Sequence, residues 1–263
     1  MFNLTPTVRL LLFINVGLCF LQTQLGGQVE AFGALFPIGS MYFQLWQFLT
    51  YMFLHSGWGH LFSNMFGLVA FGPLLEQRWG GERFLTFWLI CGVGAGALYS
   101  SVRYYELHKM NEAKTEFVHQ PTGVGFRDFF DGNAPDYYSP ARKAAAAALV
   151  RNPNDQTLIS SMVEDIQRLY STSLNSPMLG ASGALFGLIF AFGYLFPNTE
   201  LMLLFFPFPI KAKYFVTLYA LYELYKGIHR TPGDNVAHFA HLGGLLIGFI
   251  VLKFWERNRS QFY

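Results

Sequence analysis

Long apolar stretches recur along this chain, at residues 8–25, 60–79, 84–102, 179–196, 214–228 and 236–255. A helix needs about 20 such residues to cross the hydrocarbon core of a bilayer. Hydrocarbon offers no partner to backbone N–H and C=O groups, so a spanning segment must satisfy them internally. The pattern predicts an all-α polytopic membrane protein with six transmembrane helices. The stretch 214–228 is the shortest, with Tyr222, Glu223 and Tyr225 near its end. Residues 8–25 also resemble a signal peptide in length, but one basic residue flanks them and no small-x-small cleavage pattern follows. They are counted as a span.

Composition agrees, with 52% hydrophobic and 13% charged residues, richer in apolar and poorer in charged side chains than soluble domains. A net charge of +2 without a basic helix or an aromatic-basic platform excludes nucleic acid as a partner. Cys19 and Cys91 lie inside apolar runs and read as buried small hydrophobes rather than a disulfide framework. In the short connections, Arg9, Arg78/Arg83, Lys211/Lys213 and Lys253/Arg257/Arg259 fall on one side, and only Lys226 and Arg230 on the other. Positive charge marks the cytoplasmic side, so both termini are expected there. The segment 26–59 has no Lys or Arg and carries Phe43, Trp46, Phe48 and Tyr51, which suits an outer loop lying partly in the interface.

Of 18 basic and 16 acidic residues, 8 and 9 fall between 103 and 177. Half the charge thus sits in one block on the outer face, too long for a plain loop, and it is expected to be a helical extramembrane insert between the third and fourth spans. "SPARKAAAAALVRN" offers Ser139 as N-cap with Pro140 at the first helical position. In the following segment Leu158, Met162, Ile166 and Leu169 recur at helical spacing. The preceding "QPTGVGFRDFFDGNAPDYY" reads as irregular. The chain divides into 1–102 with spans one to three, the insert 103–177, and 178–263 with spans four to six.

Polar side chains within spans are functional candidates, because hydrocarbon leaves them without partners. His60 and Asn64 share one helical face at the start of the second span. Ser182 opens the fourth, and His241 lies near the start of the sixth. Spans two, four and six run inward from the same surface, so all four residues meet at one depth. A serine, a histidine and hydrogen-bond donors are what acyl transfer requires: imidazole takes the hydroxyl proton and the donors stabilise the oxyanion. No carboxylate accompanies His241 in its span, which favours a Ser-His dyad over a triad. Gly183/Gly187 and Gly244/Gly248 form small-xxx-small pairs that permit close helix approach. His238 lies three residues before His241, as a cap or a structural partner. His55, His60, His238 and His241 also admit a metal reading, but the H-E-x-x-H pattern is absent and no acid neighbours them. Neither metal nor cofactor is expected.

With "GHLFSN", "LLEQRWGGERFL", "GASGALFGL" and "AHLGGLLIG" in this order, the sequence resembles the rhomboid family of intramembrane serine proteases. The resemblance implies a rhomboid-like fold with Ser182 as nucleophile and His241 as general base. It implies His60 and Asn64 as oxyanion donors with the Ser182 backbone N–H, and Gly180 as the glycine that leaves room for substrate backbone. Glu76 and Arg78 match a structural motif at the inner turn. Transmembrane protein substrates and membrane lipids are the implied partners. A non-proteolytic relative that binds membrane clients is the alternative, and oligomeric state is not legible. Two features depart from the family pattern: Trp46-Gln47 stands where Trp-Arg is common, and the insert replaces a short connection. The compact six-span chain suggests a bacterial inner membrane.

Overall fold

The computed structural model describes residues 4–203, 206–229 and 236–257. Helices α1 (Pro6–Leu25), α2 (Gly27–Gly33), α3 (Gln47–Thr50), α4 (Trp58–Trp79), α5 (Gly81–His119), α6 (Gly123–Asn133), α7 (Pro140–Arg151), α8 (Gln156–Leu174), α9 (Ser182–Leu195), α10 (Ala212–Ile228) and α11 (His238–Arg257) follow in chain order. Six of them, α1, α4, α5, α9, α10 and α11, coincide with the apolar stretches. Among the described residues α1, α5 and α11 are long and apolar enough to cross a membrane by length and composition. The 14-residue α9 is apolar but rises only about 21 Å. It is apolar on all sides because it is buried on nearly all sides. The outer helices expose apolar side chains instead: Leu10, Phe13 and Phe20 on α1, Leu218 and Leu221 on α10, Phe249 and Phe254 on α11. Such an outer surface suits lipid rather than water.

Contacts define the two ends of the bundle. Near the end of α4, the buried Glu76 carboxylate accepts from the backbone N–H of Thr7 (2.8 Å) and Val8 (2.9 Å), and from the Thr5 hydroxyl. It thereby caps the first turn of α1, whose N–H groups have no intrahelical acceptor. At this end Trp79 also meets Trp255 edge-on, with ring centroids 5.7 Å apart. The first residues of α4, α9 and α11 therefore lie together at the opposite end.

Glycines set the distance between α9 and α11. A Cβ built on Gly244 would stand 1.9 Å from the Gly183 carbonyl oxygen, and one on Gly248 3.0 Å from the Gly187 α-carbon. Backbone thus lies on backbone, and any side chain at Gly244 would push the helices apart. A third helix closes on the same seam: a Cβ on Gly183 would meet Ala95 of α5 at 2.6 Å, and one on Gly187 the Cys91 sulfur at 2.5 Å.

Two sequence expectations are corrected. The protein is not wholly α-helical, since β1 (Glu200–Leu203) and β2 (Phe206–Lys211) form an antiparallel hairpin pairing Glu200 with Lys211 and Leu201 with Ile210. Pro207 and Pro209 lack the N–H a helix would need there. Residues 123–133, expected to be irregular, form α6. The Thr122 side chain caps it by accepting from Gly125 N–H at 2.9 Å, and Phe126, Phe129 and Phe130 bury one face. With Phe117, Leu149 and Ile166 they build a second hydrophobic core, separate from the main bundle. Ser139 caps α7 as its sequence predicts. Arg142 ties α7 to α8 through two 2.6 Å bonds to Asp165. α5 runs through residue 102 without a break and carries its last turns into this second core. Arg230 and Arg259, used in the charge comparison, lie outside the described residues.

Alanine for glycine inside a helix ordinarily gains roughly 0.5–1 kcal/mol. Gly244→Ala is expected to do the reverse and lower the thermal unfolding midpoint in detergent, because the clash with Gly183 outweighs the propensity gain. Glu76→Ala should cost about 2–4 kcal/mol, since it strands buried donors at the start of α1. Denaturant unfolding of the purified protein measures it.

Candidate active site

The segment before α9 is extended and tied down. Leu35 and Met178 exchange two backbone hydrogen bonds of 2.8 Å, and Gly180 N–H donates to the Tyr51 carbonyl at 3.0 Å. Gly180 has φ +135°, a conformation that L side chains rarely adopt. The helix therefore starts late, at Ser182, and its first N–H groups, that of Ser182 included, lack an intrahelical acceptor.

Ser182 Oγ lies 2.8 Å from His241 Nε2. His241 is 8% exposed and stacks on Phe186, one turn along α9 from Ser182, with centroids 4.1 Å apart and planes 10° from parallel. Its other ring nitrogen, Nδ1, lies 2.9 Å from Glu223 Oε2. An ionised carboxylate only accepts, so Nδ1 carries the proton and Nε2 presents its lone pair to the serine hydroxyl. His238 Nδ1 reaches the same Glu223 oxygen at 2.6 Å.

The opposite wall comes from α4. His60 Nδ1 lies 3.0 Å from the Ser56 hydroxyl and 3.4 Å from the Ser56 backbone N–H; with Nδ1 as the acceptor of these two, the proton sits on Nε2. That edge faces the α-carbon of Gly180: a Cβ there would lie 2.9 Å from His60 Nε2, 2.7 Å from its Cε1 and 3.8 Å from Ser182 Oγ. The absent side chain thus leaves a space bordered by an imidazole donor and the serine hydroxyl. One turn further on, Asn64 is 3% exposed and its Nδ2 has no hydrogen-bond partner among the described residues. Buried donors are rarely left unpaired; the His55 ring and Trp88 Nε1 share that condition among the described residues.

The four histidines considered together in the sequence separate into pairs. The His55 and His60 rings meet edge-on at 5.2 Å, while His238 and His241 converge on Glu223. That second set has donors of the kind zinc accepts, but its atoms stand at hydrogen-bonding distances. The carboxylate that the sequence of the sixth span lacks arrives from α10. Glu223, 2% exposed, is the acid near the end of the stretch 214–228, and a charge within an apolar stretch is the sequence signal for it. Phe186 carried no comparable signal in an apolar run.

Gln47 organises the loop that covers this end. It is fully buried; its Oε1 accepts from the N–H groups of Phe36 (3.3 Å) and Gln44 (3.1 Å), and its Nε2 donates to the Tyr42 carbonyl at 2.9 Å. A neutral amide offers both an acceptor and donors, and this loop uses both. Gln22 of α1 makes a similar amide pair with the backbone of His55 (2.9 and 3.1 Å).

A helical bundle with membrane-compatible outer helices and a part-buried serine-histidine pair at one end defines a class of polytopic membrane protein. Residues 42–108 and 156–256, well over half of the chain, match the model of the rhomboid domain, and the chain belongs to the rhomboid family. It is similar to an uncharacterized mitochondrial rhomboid protein of Schizosaccharomyces pombe, 27% identical over 219 residues that cover 81% of this chain and 52% of that protein. It is also similar to the mitochondrial RHOMBOID-like protein 12 of Arabidopsis thaliana, 29% identical over 214 residues, 81% of this chain and 46% of that protein. The rhomboid protease AarA of Providencia stuartii is 26% identical over 122 residues, 44% of this chain and 43% of that protein. The chain spans about half the length of the first two relatives. Their mitochondrial assignment overturns the expectation of a bacterial inner membrane and points to an organellar one. The interval between the two matched segments falls on the end of α5, α6 and α7.

Gln47→Ala should release the loop without unfolding the bundle. Faster amide hydrogen exchange confined to residues 32–48, with an unchanged rate across α9 and α11, is the expected result.

Proposed function

We propose that this protein is an intramembrane serine endopeptidase of an organellar inner membrane. In this reading all six helices α1, α4, α5, α9, α10 and α11 cross the membrane. The insert 103–177 stands on the active-site face between the two halves of the core, 1–102 and 178–263. The observation that carries it is the 2.8 Å contact between Ser182 Oγ and His241 Nε2, in the tautomer that lets the imidazole accept the hydroxyl proton.

Ser182 is the nucleophile. As its oxygen bonds to the scissile carbonyl carbon, its proton passes to His241 Nε2, and the carbonyl oxygen becomes an oxyanion. The unpaired Asn64 Nδ2, His60 Nε2 and the Ser182 backbone N–H are the donors for that charge, and Gly180 leaves the substrate backbone room to approach. The imidazolium returns the proton to the leaving amide nitrogen as the C–N bond breaks, leaving an acyl-enzyme. Water then repeats the sequence with His241 as base. The substrate is a transmembrane segment of another protein, locally unwound, because an intact helix hides its carbonyls.

Ser182→Ala should abolish cleavage of a model transmembrane substrate by the purified protein, and a fluorophosphonate should label wild type but not the variant. A wild type that binds membrane proteins yet neither labels nor cleaves would instead be a client-binding relative. His60→Ala and Asn64→Ala are each expected to lower kcat about 10²-fold with unfolding midpoints retained. Equal losses of stability and activity would assign those side chains to the fold.

A further inference from the structure

We infer that Glu223 is a positioning residue of this site, making it a Ser182–His241–Glu223 triad assembled from three helices, with His238 as the anchor of the carboxylate. The inference rests on the catalytic reading of Ser182 and His241. Its geometry is independent of that reading. Glu223 is the one acidic residue of α10 and is 2% exposed, and a single oxygen, Oε2, receives both Nδ1 groups at 2.6 and 2.9 Å. A carboxylate taken from solvent must be compensated, and α11 supplies two imidazole donors spaced i, i+3 on one face to do so.

The consequence for His241 is specific. A neutral imidazole has one proton, and the carboxylate keeps it on Nδ1, so that Nε2 is the acceptor for Ser182. Without Glu223 the other tautomer competes, with Nε2–H pointing at the hydroxyl and no site for its proton. During acylation the ring gains a second proton at Nε2, and the adjacent carboxylate balances the imidazolium charge without taking a proton itself. Phe186 holds the ring from one face at 4.1 Å, but an aromatic face fixes a plane and not a tautomer. Glu223 fixes the rotation within that plane.

His238 is placed to act through Glu223. With two donors converging on one oxygen, the carboxylate cannot swing toward either ring alone. The sequence distance between Glu223 and His241 conceals the arrangement, since the partners occupy neighbouring helices.

The alternative is a structural tie between α10 and α11, and the two roles separate in kinetics. Glu223→Gln preserves shape and one acceptor oxygen but loses the charge. For the full chain in detergent or proteoliposomes we expect kcat and the rate of fluorophosphonate labelling at Ser182 to fall about 10²-fold or more, with KM and the unfolding midpoint within twofold and a few degrees of wild type. Glu223→Asp should recover part of kcat, and His238→Ala should show a smaller loss of the same kind. Glu223→Gln with wild-type kcat and labelling overturns the inference. So does a variant set in which activity simply tracks folded protein, measured by labelling per folded molecule if Glu223→Gln is poorly stable. Labelling of wild type but not Ser182→Ala secures the catalytic reading by itself, so failure at Glu223 is distinguishable from failure at Ser182.

Discussion

Among the described glycines the one with least room for a side chain is Gly244 of α11, which sits backbone on backbone against the Gly183 carbonyl of α9. Two helices that touch without side chains between them have one relative depth and rotation. That contact lies one residue after Ser182 and three after His241, so the seam that packs the bundle also sets the serine-histidine distance. In lipid, where no hydrophobic drive favours one apolar contact over another, close packing of small residues is a main source of helix association. The geometry of the pair is therefore a by-product of what holds the core together.

Polar side chains in this bundle are spent on backbone or on each other. Glu76 caps α1 at one end; Gln22 and Gln47 bind loop backbone at the other; Glu223 gathers two imidazoles. Among the described residues a few buried polar atoms stay unpaired, Trp88 Nε1, both ring nitrogens of His55 and Asn64 Nδ2 among them, and Asn64 is the one that shares a helix face with His60. A buried donor without a partner costs roughly 1–3 kcal/mol, and it lies one turn along α4 from His60, whose Nε2 edge borders the space above Gly180.

Much of this was legible in the residues because polar side chains are conspicuous in apolar runs. Ser182, His241, His60 and Asn64 stood out that way, and the glycine spacing indicated which helix faces would meet. Glu223 is equally conspicuous, but nothing in one sequence shows that α10 turns that residue toward α11. The N-cap at Ser139 has a signature that a window of four residues contains. α6 escaped because Gly123, Gly125 and Gly132 disguise a helix whose stability comes from three phenylalanines packing on a core drawn from α5, α7 and α8. The hairpin β1–β2 escaped for the same reason, its pairing being a relation between segments rather than a property of either.

Among the described residues the helices of the second core are attached to the main bundle at two places. One is α5, a single rod of 39 residues and about 58 Å that begins at the inner turn and ends in the second core. The other is the end of α8, held by Arg103 to the Ser173 carbonyl (2.9 Å) and by Asn175 to Ser40 (2.8 Å), only a few residues before the nucleophile. A rod seated in two bodies transmits torque. A displacement of the second core would therefore be carried along α5 to the wall holding Ala95 and Cys91, and through the end of α8 to the extended segment that leads to Ser182.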